Sequence, residues 1–241
     1  MKTKILLMML ISSLSTLTLA KDIELTTGIV QDEFKDFVNE FGTSLLFSPM
    51  APAEPLGVTG FDVSLDLMIT DISDSDAYWK KFFGGSEPYS YIPTPRLHVQ
   101  KGLPFNIDLG AMYVTVPDSN IKLWGLEAKY AILEGTVATP ALSIRASYSQ
   151  LQGIDELEID TQSLDILISK GILMLTPYAG ASMIRINGKE KTELVALDDV
   201  EETEYRGLLG VQFSPFPLLN INGEFSFGKI PQYGLKIGIR F

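Results

Sequence analysis

Apolar and polar residues alternate along most of the chain. Between Phe61 and Ile69 every second residue is large and apolar, while Asp62, Ser64 and Asp66 lie between them. A period of two residues is typical of a β-strand with one apolar and one polar face. The pattern predicts ten strands, in segments 61–69, 96–101, 105–113, 124–132, 142–148, 164–168, 178–186, 205–213, 219–227 and 233–241.

The gaps between these segments fall into two classes. Four gaps are short and reach the same end of the predicted sheet: 101–104, 134–140, 169–173 and 214–217. The opposite end receives two long polar gaps and three shorter links: 73–93, 187–203, 117–120, 150–156 and 228–232. Short turns at one end, facing the periplasm, and longer loops at the other are typical of outer-membrane barrels. The predicted fold class is therefore all-β, a transmembrane antiparallel β-barrel of about 10 strands (roughly 8 to 12) with a short N-terminal amphipathic helix.

Aromatic residues recur eight positions apart on the face predicted to be apolar. Three segments carry such pairs: Phe105 with Tyr113, Tyr205 with Phe213, and Tyr233 with Phe241. Eight residues of a strand tilted by roughly 40° span on the order of 20 Å, close to the lipid-facing band of an outer-membrane barrel. A soluble periplasmic sandwich or lipocalin-like barrel is the alternative, and it would have to bury all these rings in a small core.

The chain begins with a stretch typical of a secretory signal. Lys2 and Lys4 precede an apolar run, and small residues lead to Ala20. Residues 1–20 are therefore predicted to be a signal peptide that is removed on export. We expect an N-terminal periplasmic or plug segment at 21–54 and the barrel at 55–241.

The segment before the first strand has the apolar spacing of an amphipathic helix. Its predicted apolar face carries Phe34, Phe37, Val38 and Phe41, and Gly42 is the predicted stop. A helix of about 12 to 14 residues follows from this period. We expect it to enter from the periplasm and either to plug or prop the lumen, or to pack under the periplasmic rim or on a partner.

The inward face of the predicted strands carries charges in balanced numbers. Six acids, six permanent bases and one histidine are expected there: Asp62, Asp66, Arg96, His98, Asp108, Glu127, Lys129, Arg145, Asp165, Arg185, Glu224, Lys236 and Arg240. Buried charges persist only when they are paired. These residues are predicted either to fill a narrow lumen as a salt-bridge network or to line a pore that selects solutes.

Enzyme chemistry has little support in the sequence. His98 is the only histidine, and it falls near a turn of the predicted periplasmic end, whereas surface substrates would arrive at the other end. A structural role beside Arg96 and Asp108 is expected for it. No GxSxG, HExxH, Walker or GxGxxG motif occurs, so we expect no enzyme activity.

Composition narrows the set of partners. The formal net charge is −11, and nucleic-acid binding depends on clustered Lys and Arg, so a nucleic-acid partner is not expected. The chain has no cysteine, which excludes disulfides and thiolate ligands. Acidic stretches at 71–76 and 198–204 lack the EF-hand pattern. They are expected to be solvated, or to bind lipopolysaccharide phosphates through divalent ions. No metal or cofactor is predicted.

The last nine residues, YGLKIGIRF, resemble the carboxy-terminal β-signal of Gram-negative outer-membrane proteins. The resemblance rests on Tyr233, Leu235, Ile237, Ile239 and Phe241. It implies that the barrel-assembly machinery is a partner during biogenesis. Two further stretches, IPTPRLHVQKGLPFNIDLGAMY and SNIKLWGLEAKYAIL, are similar to an uncharacterised family of proteobacterial outer-membrane proteins.

Two functions fit a barrel of this kind in the outer membrane. One is a channel or transporter for a small solute, including a hydrophobic solute if the N-terminal helix serves as a hatch. The alternative is a non-transporting structural or surface-interaction barrel that acts through its long extracellular loops. In both cases the surrounding partners are outer-membrane lipid and lipopolysaccharide.

Overall fold

The computed structural model shows a closed antiparallel barrel with an N-terminal helix. It describes residues 28–72, 77–82, 90–115, 120–192 and 197–241. The predicted signal peptide and parts of the longer loops lie outside these ranges. No helix in the described part of the chain is long and apolar enough to cross a membrane.

All ten predicted strands are present, and the predicted fold class is confirmed. The helices are α1 (Gln31–Leu45) and α2 (Ala77–Phe82). The strands are β1 (Phe61–Asp71), β2 (Tyr91–Leu103), β3 (Ile107–Thr115), β4 (Lys122–Glu134), β5 (Ala141–Gln152), β6 (Leu157–Ser169), β7 (Leu175–Glu190), β8 (Val200–Phe216), β9 (Leu219–Phe227) and β10 (Gln232–Arg240). Each strand pairs with the next along the chain, and β1 pairs with β10 to close the barrel.

The final residue takes part in that closure. The backbone N–H of Phe241 donates to the carbonyl of Phe61 at 2.8 Å, and the N–H of Phe61 donates to the carbonyl of Phe241 at 3.0 Å. The β1–β10 register continues from this pair through Asp66 opposite Lys236. The barrel therefore has no unpaired strand edge at the point where its first and last strands meet.

The two ends of the barrel differ as the gap lengths predict. We call one the turn end; it holds Phe61, Phe241 and the connections at 104–106, 135–140, 170–174 and 217–218. The other, the loop end, holds the connections at 72–90, 116–121, 153–156, 191–199 and 228–231. In outer-membrane barrels short turns face the periplasm and longer loops face the exterior, which gives the orientation used below.

The outer face of the barrel is apolar. On β10, for example, Tyr233, Leu235, Ile237 and Ile239 are 46–50% exposed, whereas Lys236 between them is fully buried. Further aromatic residues point outward near both ends, including Tyr113 and Tyr205 toward the loop end and Tyr130 and Phe213 toward the turn end. A closed barrel with an apolar outer band and aromatic residues at both margins is built to span the outer membrane.

Two local predictions about strands were wrong. Phe105 does not begin β3; it lies in a tight turn at Pro104–Asn106 with φ of 66° and is 86% exposed. The inward and outward faces of β7 are also exchanged relative to the prediction, because Tyr178, Ile184 and Ile186 point inward. Inside the barrel, Ile184 and Ile186 belong to the same apolar core as Phe37 and Val38 of α1.

Candidate functional site: the filled lumen

The N-terminal segment passes through the lumen from one end to the other. We call residues 28–60 the plug. At the loop end, Lys81 Nζ donates to the carbonyl of Gly28 at 3.1 Å. At the turn end, the N–H of Leu56 donates to Asp108 Oδ1 at 3.0 Å, and the N–H of Gly102 donates to the carbonyl of Gly60 at 3.0 Å. The helix α1 therefore lies inside the barrel near the loop end, and not under the periplasmic rim.

The predicted apolar face of α1 is buried within the lumen. Phe34, Phe37 and Val38 are fully buried, and Phe41 is 9% exposed. The helix contacts strands on several sides of the barrel, among them β1, β2, β5, β6, β7 and β8. Much of the surrounding wall is apolar at this level and contributes Val114, Leu123, Leu151, Leu157, Ile159, Ile184, Ile186 and Val200 to the same core.

The loop helix α2 covers the outer end of α1. Phe82 stacks on Phe37 with ring centroids 3.8 Å apart and planes at 6°, and Trp79 meets Phe37 edge-on at 5.2 Å. Trp79 Nε1 donates to Glu40 Oε2 at 2.6 Å. The described helix of the first long loop thus packs onto the plug and helps to close the mouth of the barrel.

Charged contacts at the loop end complete this closure. Lys35 Nζ lies 2.8 Å from Glu202 Oε1, and this hydrogen bond raises the pKa of Lys35. Gln31 is bonded twice to Asp198, donating to its carbonyl at 3.1 Å and accepting from its N–H at 2.8 Å. Both long loop regions therefore hold the start of α1.

Gly42 does not stop the helix, which continues to Leu45. A Cβ added at Gly42 would lie 2.4 Å from Ile186 Cγ2, and one added at Gly188 would lie 2.5 Å from the methyl groups of Val38. The helix and β7 approach so closely that neither position has room for a side chain. The glycine that the sequence suggests as a C-terminal signal is instead required for packing.

Wall side chains bind the carbonyls at the end of α1. The last carbonyls of a helix have no partner within it, and they carry the negative end of its dipole. Gln232 donates to the Thr43 carbonyl at 2.8 Å and Ser149 to the Leu45 carbonyl at 2.8 Å. Arg96 and Arg145 then donate to the next two carbonyls, of Leu46 and Phe47, at 2.9 and 2.6 Å. The wall thereby satisfies both the hydrogen-bonding groups and the charge of the helix end.

Below the helix the plug is irregular and rich in proline. Pro49, Pro52 and Pro55 occupy every third position. Proline has no N–H, so the segment offers more acceptors than donors. Lys129 Nζ accordingly donates to the carbonyls of Pro52 and Glu54, at 3.1 and 2.9 Å.

The residue after each proline donates its backbone N–H to a side chain of the wall. Met50 donates to Glu224 Oε2 at 3.1 Å, Ala53 to Ser169 Oγ at 3.1 Å, and Leu56 to Asp108. These three acceptors lie on three different strands, β9, β6 and β3. The polar wall therefore supplies hydrogen bonds that this part of the plug cannot make with itself.

Buried ion pairs connect the remaining lumen charges. Arg145 pairs with Glu127 through its Nε atom and with Asp165 through its Nη1 atom, which lies 2.5 Å from Asp165 Oδ2. The other close pairs are Lys129 with Asp108 at 3.1 Å, Lys236 with Asp62 at 3.2 Å and Arg240 with Asp62 at 3.0 Å. Most of the lumen charges are therefore paired with an opposite charge around the plug.

His98 belongs to this network, with partners other than those predicted. Its Nδ1 lies 2.9 Å from Asp66 Oδ2 and its Nε2 lies 3.1 Å from Glu127 Oε1, so Arg96 and Asp108 are not its partners. The completely buried ring of His98 therefore bridges two carboxyl groups, one at each nitrogen.

Twelve of the thirteen predicted lumen residues point inward, and Arg185 does not. Its exposed side chain lies on the outer face of β7 and pairs with Glu201 on β8. The exchanged faces of β7 explain this error. Arg206 on β8 is the inward base that was overlooked; it donates to Gln232 at 2.5 Å and to Ser48 Oγ at 3.2 Å. Arg206 directly follows the outward-facing Tyr205, so alternation along β8 already indicated that Arg206 points inward.

The carboxy-terminal residues lie as their alternation indicates. Tyr233, Leu235, Ile237, Ile239 and Phe241 are all exposed on the outer face. Recognition of this strand by the assembly machinery stays a prediction. Within the described residues, no group of three or more His, Asp or Glu side chains is arranged to hold a metal ion.

A closed barrel, an apolar outer band and a lumen filled by the chain's own N-terminal segment define a plugged outer-membrane β-barrel. Residues 56–241 match the Family of unknown function (DUF6588), and the chain belongs to that family. Most of the plug precedes the matched region. No curated protein matches the sequence.

Solved structures resemble the chain only weakly. The translocator domain of the autotransporter NalP from Neisseria meningitidis is 12% identical over 90% of this chain and 99% of that one, with a TM-score of 0.46. The N-terminal β-barrel domain of Pseudomonas aeruginosa OprF is 12% identical over 77% and 99%, with a TM-score of 0.36. Ail of Yersinia pestis, in complex with the heparin analogue sucrose octasulfate, is 11% identical over 76% and 98%, with a TM-score of 0.36. Likenesses of this size do not indicate a shared activity.

Proposed function

We propose that this protein is a closed, non-conducting outer-membrane barrel that acts through the surface at its loop end and does not pass solutes. One observation carries the proposal: the plug occupies the lumen from Gly28 at the loop end to Gly60 at the turn end. The alternative predicted from the sequence, a surface-interaction barrel, is therefore favoured over an open channel.

The packing of the plug supports a permanent closure. Phe34, Phe37, Val38, Leu46 and Phe47 are all completely buried. Burial of one such side chain contributes roughly 1.5–3 kcal/mol, so withdrawal of the whole plug costs on the order of 10 kcal/mol. An emptied lumen would also expose the apolar wall around α1 to water. These costs argue against a plug that leaves the barrel during each cycle of transport.

The outer surface near the loop end supports an interaction role. There charged pairs on β6, on β7 and on the connection that follows β7 take the place of lipid-facing residues. Lys191 pairs with Glu158 at 2.6 Å, and Lys189 pairs with Asp199 at 3.3 Å. Such a charged surface suits the polar headgroup region of lipopolysaccharide, which we propose as its immediate surroundings.

A second candidate is a gated transporter in which the plug shifts without leaving. It is favoured by buried polar atoms in the lumen that have no hydrogen-bond partner among the described residues, including Arg96 Nε, Arg206 Nε and Glu224 Oε1. A small displacement of the plug could open a hydrated path beside these groups. Because such a path would be lined by charges, it would suit a polar solute, and not the hydrophobic solute that a helical hatch suggests.

Single-channel recording with a plug that can be locked in place tests both functions. A Cβ built at Gly42 lies 3.6 Å from Ile186 Cβ, within the range of about 3.5–4.5 Å found for disulfides. The chain has no native cysteine, so a Gly42→Cys/Ile186→Cys variant can form only this bond within the chain. The Ile186→Cys change also removes the Cγ2 methyl group that would clash with a Cβ at Gly42. We expect no conductance steps from the wild-type protein in planar bilayers, and none from the variant, whether oxidised or reduced.

The outcomes separate the candidates. Heat-modifiable gel migration verifies that each preparation is folded, and the single variant Ile186→Cys, which cannot cross-link, serves as the matched control. Regular conductance steps from folded wild-type protein would overturn the closed-barrel proposal. Conductance or solute uptake that disappears on oxidation of the double variant and returns on reduction would establish the gated transporter.

A further inference from the structure

The plug runs through the barrel in the opposite direction from the one expected of an N-terminal segment that remains in the periplasm. Its upstream end is at the loop end, where Gly28 contacts Lys81 and where Gln31 contacts Asp198. Its downstream end is at the turn end, where Lys101 Nζ donates to the carbonyl of Val58 at 2.7 Å. The chain therefore enters the lumen at the loop end and leaves it at the turn end, directly before β1.

The filled lumen prevents the chain from returning. Both the helical part and the proline-rich part of the plug are surrounded by wall side chains, and residues 34 and 37–53 are all buried. Gly28, where the plug begins, therefore lies at the mouth of the barrel on the side of the long loops.

From this geometry we propose that the start of the plug, from Gly28 to Val30, is displayed on the outside of the cell. The surface at the loop end then includes the start of α1, with Val30 57% exposed. The displayed end adds to the proposed surface function but does not depend on it. A gated barrel whose plug runs in the same direction would display the same end.

The direction of the plug also constrains assembly. The plug is connected directly to β1, and β1 must pair with β10 to close the barrel. A helix with the bulk of Phe34, Phe37 and Phe41 would have to pass the whole length of the lumen to enter a barrel that is already closed. The plug must therefore be enclosed when the β1–β10 seam forms.

Cysteine accessibility tests the proposal directly. Val30 and Val58 lie on the same segment, at opposite ends of the lumen, with exposures of 57% and 59%. We suggest single variants Val30→Cys and Val58→Cys in the native chain, which has no cysteine. Intact cells would be treated with a bulky, membrane-impermeant maleimide, and then treated again after permeabilisation of the outer membrane. We expect Val30→Cys to be labelled to the same extent in both conditions, and Val58→Cys to be labelled only after permeabilisation.

A third variant verifies the orientation of the barrel. Val137 is fully exposed in a turn between β4 and β5, so Val137→Cys should behave like Val58→Cys. Failure of Val30→Cys to react in intact cells, or reaction of Val58→Cys there, would overturn the proposal. Heat-modifiable migration of each variant shows that the barrel is folded. The readout is independent of conductance, so a failure here is distinguishable from a failure of the closed-barrel function.

Discussion

The two halves of the lumen hold one continuous segment of chain by different means. In the loop-end half, α1 packs against apolar wall residues such as Ile159, Ile184 and Ile186. In the turn-end half, the proline-rich segment lies among wall groups such as Lys129, Asp108 and Ser169, which bond to its backbone. The wall strands alternate with the same period in both halves. The inward wall residues differ in polarity because the plug is helical in one half and irregular in the other.

This contrast shows how the backbone of a plug decides the polarity of the wall around it. A helix satisfies its own backbone groups, so an apolar wall can surround it without leaving buried polar groups unpaired. An irregular segment exposes its carbonyls and N–H groups, and each needs a partner when it is buried. The transition occurs at Leu45, where the helix ends and where wall residues begin to bind successive carbonyls.

The strongest test of the contrast lies at Arg145, at this transition. Arg145→Met would remove one charged partner from Glu127, from Asp165 and from the Phe47 carbonyl at once. Removing one member of a buried ion pair costs about 3–5 kcal/mol. We expect Arg145→Met to reach the top of that range, about 5 kcal/mol. Urea-induced unfolding of the protein in lipid vesicles, followed by tryptophan fluorescence, would measure the change.

Arg185 supplies the matched control. Its side chain is about half exposed, and it pairs with Glu201 on the outer face, where solvent screening makes ion pairs weak. Arg185→Met makes the same chemical change on a neighbouring part of the wall, and little change in stability is expected. Equal destabilisation by the two substitutions would show that the lumen network contributes no more than a surface pair.

Phe37 tests the loop-end half. It is completely buried and contacts Phe41, Phe82 and Trp79. Phe37→Ala leaves a cavity in an apolar core, and we expect a loss of about 3 kcal/mol. Phe105→Ala is the control, because that ring is 86% exposed in a turn. The same urea titration applies, and a loss at Phe105 as large as that at Phe37 would contradict the role of α1 as a core element.

The strands were predictable because their signal is local. In β1 and β10 the side-chain alternation agrees with the face that each residue takes in the barrel. In β7 the same reasoning failed, since both sets of alternate positions contain apolar residues and Ile184 and Ile186 face α1. Which set points inward depends on the plug, which lies about 140 residues earlier in the sequence. Alternation within one strand cannot supply that information.

The sequence was enough to predict which charged residues face the lumen, but not which of them bond to one another. Inward charges follow from the phase of each strand, but partner choice depends on reach across the barrel, as the bonds of His98 to Asp66 and Glu127 show. The proline repeat at Pro49, Pro52 and Pro55 was a usable signal for a segment that needs external hydrogen-bond partners. Gly42 was misread because a glycine within a helix that permits close packing has the same local appearance as one that ends it.

The smallest expected effect concerns the link between the plug and the first long loop. Lys81 Nζ lies 2.7 Å from both carboxylate oxygens of Glu33 and joins α2 to α1. This hydrogen bond lowers the pKa of Glu33 from its ordinary value of 4.5.

A carboxyl group whose pKa is depressed by folding stabilises the protein above its unfolded pKa and loses that contribution as the pH falls through its folded pKa. Because the pair is partly exposed, its contribution should stay below about 1 kcal/mol and decrease in high salt. Urea titrations between pH 6 and pH 3 should therefore show a slightly shallower loss of stability for Glu33→Gln than for the wild type. Identical pH profiles for Glu33→Gln and the wild type at low salt would show that this contact does not help to hold the loop on the plug.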